Sequence, residues 1–117
     1  MPVFGIFNNE PTVQTLTAGQ AIFAQGDPGD AMYAVLEGEV EIRREERVLD
    51  TIAVGNVFGE MALIDHQPRS ASAVAKTDCR VAVISEARFL RLVSQNPRFA
   101  LQMMQLLTER VRNRMNS

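Results

Sequence analysis

The 117-residue chain holds one cysteine, one histidine and one lysine. A lone cysteine, Cys79, excludes an internal disulfide and fits a reducing compartment. With no histidine partner in view, it reads as a small, semi-buried strand residue rather than a nucleophile. His66, between Asp65 and Gln67, has too few neighbouring ligands for a metal site and reads as a solvated loop residue. Lys76 sits at the end of an expected strand and belongs to no Walker-type loop. No triad or metal cluster is visible either, so an enzyme finds no support and no cofactor is expected. Charge of one sign is missing too. The 12 basic and 14 acidic residues leave a net −2, which provides no field for nucleic acid or an anionic membrane. No stretch approaches the roughly 20 apolar residues of a membrane span. Residues 1–9 lack the basic region and apolar run of a signal peptide. A cytoplasmic protein is the expectation.

What is present suffices for one domain. The length fits a single unit, and 46% hydrophobic residues can build a core. Short apolar runs separated by turn signals predict strands at Val13–Leu16, Ala21–Ala24, Met32–Leu36, Val40–Arg44, Val48–Val54, Ser70–Ala75 and Cys79–Ile84. Gly26-Asp27-Pro28-Gly29 and Glu37-Gly38-Glu39 punctuate them. Val40-Glu41-Ile42-Arg43 alternates as a half-buried strand does. Arg43-Arg44-Glu45-Glu46-Arg47 has mixed sign and reads as a solvated hairpin tip.

Helical signals follow. Ser85 is placed to cap Ala87–Gln95. Asn96 and Pro97 end that helix and open another, Asn96 as cap and Pro97 at the first helical position. From Arg98 to about Asn116, Ala100, Met104, Leu107, Val111 and Met115 recur at helical spacing, widened by Leu101 and Leu106. Core packing is the default for Met103, Met104 and Met115, with an adaptable contact surface as the other reading. Arg110, Arg112 and Arg114 offset the helix dipole, and one of them could stack on a purine.

The most informative segment runs from Phe58-Gly59-Glu60-Met61-Ala62-Leu63 to Pro68-Arg69-Ser70-Ala71. Gly59 lets the backbone approach a ligand closely. Glu60 to Ile64 suits one helical turn, whose first N–H groups face an anion. Arg69 offers a planar fork for phosphate oxygens. Glu60 is left to accept from sugar hydroxyls, and Ser70 can donate or accept beside the phosphate or base. The segment reads as a cradle for a nucleotide monophosphate, without a metal or a nucleophile.

This segment resembles the phosphate-binding cassette of the cyclic nucleotide-binding domain family. Gly19-Gln20-Ala21-Ile22-Phe23-Ala24-Gln25-Gly26-Asp27 and Met32-Tyr33-Ala34-Val35-Leu36-Glu37-Gly38-Glu39-Val40 are similar to the same family. The likeness runs from about Val13 to the last helix. It implies a mainly β fold, an eight-stranded jelly-roll-like barrel over about residues 12–84, with flanking N- and C-terminal helices, the latter at about 86–116. It also implies that Glu60 meets the ribose 2′-hydroxyl and that Arg69 meets an exocyclic oxygen of the cyclic phosphate. Backbone groups around Gly59, Met61, Ala62 and Ala71 would complete the cradle, and Ser70 would touch phosphate or base. Serine after the arginine is more usual in members that take cyclic AMP, threonine in those that take cyclic GMP, so cyclic AMP is favoured. The last helix is then a moving lid, and a homodimer or effector through that helix is the expected partner. The alternative is a protein-interaction module of the same fold that binds no nucleotide. Without a DNA-binding motif beyond the last helix, residues 1–117 are not expected to bind operator DNA. Replacing Arg69 by alanine is expected to spare folding.

Overall fold

The structure is a computed structural model that describes residues 5–115. A short 3₁₀ turn at Gly5–Phe7 precedes β1 (Val13–Leu16), β2 (Ala21–Phe23), β3 (Ala31–Glu37), β4 (Val40–Arg44), β5 (Arg47–Ile52) and β6 (Val57–Phe58). Then come α1 (Glu60–Asp65), β7 (Ser72–Ala75), β8 (Cys79–Ser85), α2 (Glu86–Gln95) and α3 (Pro97–Met115). The strands form two antiparallel four-stranded sheets, ordered β1-β8-β3-β6 and β2-β7-β4-β5. The expected eight-stranded, mainly β architecture is present as two facing sheets in a jelly-roll-like arrangement, not as a closed barrel. Among the described residues, the N-terminal helix is reduced to the one 3₁₀ turn.

Strand β3 explains the layering. Ala31, Tyr33 and Val35 face the core between the sheets, with Val40, Ile52, Phe58, Ala73 and Val81. Met32 and Ala34 face the opposite way, into a second core with Ala82, Ile84, Leu92, Phe99, Met103 and Leu106. Both faces are buried, so the segment carries an unbroken apolar run instead of an alternation. Strand β4 alternates as read: Val40 is buried and Ile42 packs partly against the inter-sheet core. The mixed-charge hairpin tip turns at Glu45, whose φ is 57°. Several strand bounds shift by one or two residues from the sequence reading; β5, expected to reach Val54, ends at Ile52. Strand β7 begins at Ser72, because Arg69 to Ala71 are held by the site described below. The two-residue β6 was not anticipated, being too short for any periodicity to register.

Both helix caps form as read. Ser85 Oγ accepts from Arg88 N at 3.2 Å, and Asn96 Oδ1 accepts from Phe99 N at 3.3 Å, with Pro97 opening α3. Arg88 also donates twice to the buried carboxylate of Glu10, at 2.9 and 3.1 Å, tying the N-terminal segment to α2. Helix α3 docks through Phe99, Met103 and Leu106. The rings of Phe7 and Phe89 stand edge-on to Phe99, with centroids at 5.7 and 5.8 Å. The helical period was correct and its phase was not. Met103 is core, whereas Met104 is 62% exposed and Val111 57%. The side chains of Arg114 and Met115, and Asn116, lie outside the described residues.

Candidate functional site

Gly59 joins β6 to α1 with φ 78°, the left-handed conformation that only glycine adopts without strain. A Cβ there would lie 2.9 Å from Arg69 Nη1 and 3.3 Å from the Phe23 ring. The chain therefore turns abruptly from strand to helix, and Glu60 becomes the first residue of α1.

The β2–β3 loop packs onto the same place from the other side. Gly26 N donates to Arg69 O, and Arg69 N donates to Asp27 O, both at 2.8 Å. Gln25 N donates to Ser72 Oγ at 2.9 Å. Gly29 sits so close that a Cβ would overlap that of Ala62 and lie 3.1 Å from the Arg69 guanidinium carbon. Gly29→Ala is accordingly expected to push this loop off α1. Overpacking of this kind costs about 1–3 kcal/mol, readable in urea melts. A variant as stable as the parent would show that the loop yields freely.

Arg69 is buried. Its Nη1 donates to Gly59 O at 2.7 Å and its Nη2 to Ala31 O at 2.6 Å. Its guanidinium carbon lies 4.1 Å from the centroid of the Phe23 ring, a stacked cation–π contact. Phe23, Tyr33 and Phe58 form one aromatic floor, with Tyr33 and Phe58 stacked at 5.2 Å. Burial pushes the Arg69 pKa down, and Tyr33, Asp30 and Glu60 oppose that shift. Burial also pushes the Tyr33 phenol up, partly offset by Arg69.

Glu60 is 1% exposed. Its Oε1 pairs with Nη1 of Arg110 from α3, while Arg110 Nη2 donates to Val57 O at 2.6 Å. One turn of α3 is thereby fastened to both the strand before the cassette and the cassette's acid. Glu60 Oε2, Arg110 Nε and Arg69 Nε are buried without a hydrogen-bond partner. Buried polar atoms are rarely left in this condition unless a further partner belongs there.

The sequence-predicted residues thus converge. Gly59, Glu60 and Arg69 meet directly, and Ala62 and Ala71 are buried beside them. Met61 and Ser70 are exposed, and Ser70 O accepts from Arg44 Nε at 3.1 Å. Arg69 donates to the main-chain carbonyls of Gly59 and Ala31, so its removal is expected here to affect folding as well as binding. Sequence reasoning passed over Phe23, Tyr33, Ala31 and Gly29. The last was read only as part of a turn, and nothing local separates a floor aromatic from a core one. Arg110, which the sequence offers as dipole compensation or a purine stack, pairs with Glu60.

Residues 13–96 match the family described as the cyclic nucleotide-binding domain, and the chain belongs to it. It is similar to the cyclic AMP receptor protein of Thermus thermophilus, at 39% identity over 99 residues, which is 80% of this chain and 46% of that protein. It is also similar to the cAMP-dependent protein kinase regulatory subunit of Aspergillus niger, at 45% over 78 residues, 65% of this chain and 19% of that one. Among solved structures, the Thermus thermophilus catabolite activator protein superposes with a TM-score of 0.80 at 36% identity, covering 87% of this chain and 50% of that chain. An EAL enzyme in its cAMP-bound form gives 0.67 at 34% identity, covering 90% of this chain and 30% of that chain. The chain therefore spans half or less of the length of these proteins. Among the described residues, no helix is long and apolar enough to cross a membrane.

Proposed function

We propose that this domain is a cytoplasmic sensor that binds a 3′,5′-cyclic nucleotide, cyclic AMP in preference, and does no chemistry on it. The observation that carries the reading is one buried acid and one buried arginine flanking a left-handed glycine, with the acid tied to the C-terminal helix. Arg69, seated on Phe23, meets the phosphate through its unpartnered Nε and the remaining N–H groups of its fork. The contact is favourable because a charged oxygen is a stronger acceptor than an amide carbonyl. Glu60 takes the ribose hydroxyl. Exposed Ser70 lies within the cassette to meet phosphate or base. Backbone groups around Gly59, Met61, Ala62 and Ala71 complete the cradle. Because Glu60 also holds α3, ligand binding shifts the balance between positions of that helix, provided the two positions differ in ligand affinity. No cofactor or metal enters this scheme.

Calorimetric titration with cyclic AMP, cyclic GMP and 2′-deoxy cyclic AMP tests the reading. Cyclic AMP should bind, and the 2′-deoxy analogue should bind about 10- to 150-fold more weakly, a hydrogen bond to a charged group contributing roughly 1.5–3 kcal/mol. Base discrimination through one neutral hydroxyl contact should be smaller, about fivefold for roughly 1 kcal/mol. A clear preference for cyclic GMP reverses the base assignment. Silence with every nucleotide favours the second reading, an interaction module. The observation behind that reading is the exposed set Leu101, Met104 and Val111 on α3, a surface for a second copy or an effector.

A further inference from the structure

Arg69 is held by more than its hydrogen bonds. Its Nη1 and Nη2 are tied to the carbonyls of Gly59 and Ala31. Two bonds at two neighbouring nitrogens still leave a planar group free to hinge about the line through them. Such hinging swings Nε, which is buried and without a partner. The Phe23 ring blocks the hinge, with its centroid 4.1 Å from the guanidinium carbon. The Tyr33 ring lies farther off, at 5.9 Å. Phe23 is wedged in turn, its ring tilted against those of Tyr33 and Phe58 at 5.8 and 6.1 Å. A local irregularity in β2 brings it there. Ala21 pairs with Val74 but Phe23 with Ala73, whereas an unbroken ladder would set Phe23 opposite Ser72. A bulge of this kind re-aims a side chain.

We propose that Phe23 is a positioning residue for the phosphate contact: its ring face holds the guanidinium plane of Arg69 at one tilt, so that Nε meets the anion without reorganisation. This rests on the nucleotide-binding reading above and deepens it. The negative ring face holds a cation more firmly than an aliphatic side chain does. It also leaves the in-plane N–H groups of the fork unoccupied. An acid in the same place would hold the cation too, but it would take the N–H groups that the phosphate needs. With the fork already fixed, the ordering of a long side chain is not charged against ligand binding.

The test is calorimetric titration of cyclic AMP and 2′-deoxy cyclic AMP into the parent, into Phe23→Leu and into proteins carrying ring-fluorinated phenylalanines at position 23. The Arg69 Nε–H resonance is followed by NMR in the parent and in Phe23→Leu. Leucine keeps an apolar contact and removes the ring face. Phe23→Leu should bind cyclic AMP about two- to tenfold more weakly, the cost of ordering one long side chain on binding. Its preference for the ribose form over the 2′-deoxy form should stay at the parent's value, because the loss falls on the phosphate. The Nε–H resonance, displaced in the parent by the ring current of Phe23, should move in the variant toward the position of a free arginine. Rings bearing one, two and three fluorines should weaken binding in step, since each fluorine drains the ring face while the shape barely changes. A flat fluorine series overturns the proposal and leaves Phe23 as packing, and it decides the matter even where Phe23→Leu fails to fold. A ribose preference that falls together with affinity in Phe23→Leu also overturns it, because the whole pocket has then loosened. A parent silent with every nucleotide removes the underlying reading and the proposal together, whereas a parent that binds beside a flat series removes the proposal alone.

Discussion

Arg69→Ala should lose most nucleotide affinity and a substantial part of its folding stability. Truncating one partner of a buried charge-assisted contact costs about 2–5 kcal/mol in binding, which titration calorimetry would read as a loss of at least roughly 30-fold. The stability loss has a separate origin. Without Arg69, the carbonyls of Gly59 and Ala31 lose their donors inside the protein, and Phe23 loses the cation stacked on it. Each buried polar group left unsatisfied costs about 1–3 kcal/mol, so urea melts should shift by an amount on the order of 3 kcal/mol. Arg69→Lys separates the two effects. It keeps the charge but not the fork, and should bind weakly while folding better than the alanine variant. Unchanged affinity in Arg69→Ala would remove Arg69 from the phosphate.

Phe99→Ala should be the most destabilising of the substitutions considered. Phe99 is 1% exposed and fixes α3 to the helix-side core between the rings of Phe7 and Phe89. Emptying such a position costs about 3–5 kcal/mol, the lost transfer energy plus the cavity left behind. The functional consequence follows from the geometry. Once α3 loosens, Arg110 no longer holds Glu60, and the last helix stops reporting on the site. Urea unfolding checks the energy, and a fall in the denaturant slope would show that α3 detaches before the sheets unfold. A loss below about 1 kcal/mol would mean that the site collapses around the missing ring.

Much of the fold was legible because local signals and global packing agree. The glycine-bearing turns, the Ser85 and Asn96 caps and Pro97 all act within a few residues of themselves, so sequence spacing captures them. Strand β4 was legible for a similar reason, since half-burial writes an alternation into the residues. The phase of α3 was not legible. Leu101, Met104 and Val111 are as apolar as Met103 and Leu106, and an all-round scatter of apolar residues permits more than one docking face. Contact with Phe7 and the sheet chose Phe99, Met103 and Leu106.

The cassette divides along the same line. The order glycine, acid, short helix, arginine is contained in residues 59–69, and it determined the family, the candidate ligand class and the two charged side chains that matter. What those side chains touch was decided by tertiary structure. Arg69 reaches Ala31 across 38 residues and stacks on Phe23 of β2, and Glu60 meets Arg110 across 50. Such partners are set by how sheets and helices close on one another, because a charge excluded from water takes whatever donor or acceptor the closure brings within reach. Sequence alone determined that this chain carries an acid and an arginine suited to a sugar phosphate. Only the packed structure joined the acid to the last helix and left one donor and one acceptor there without a partner.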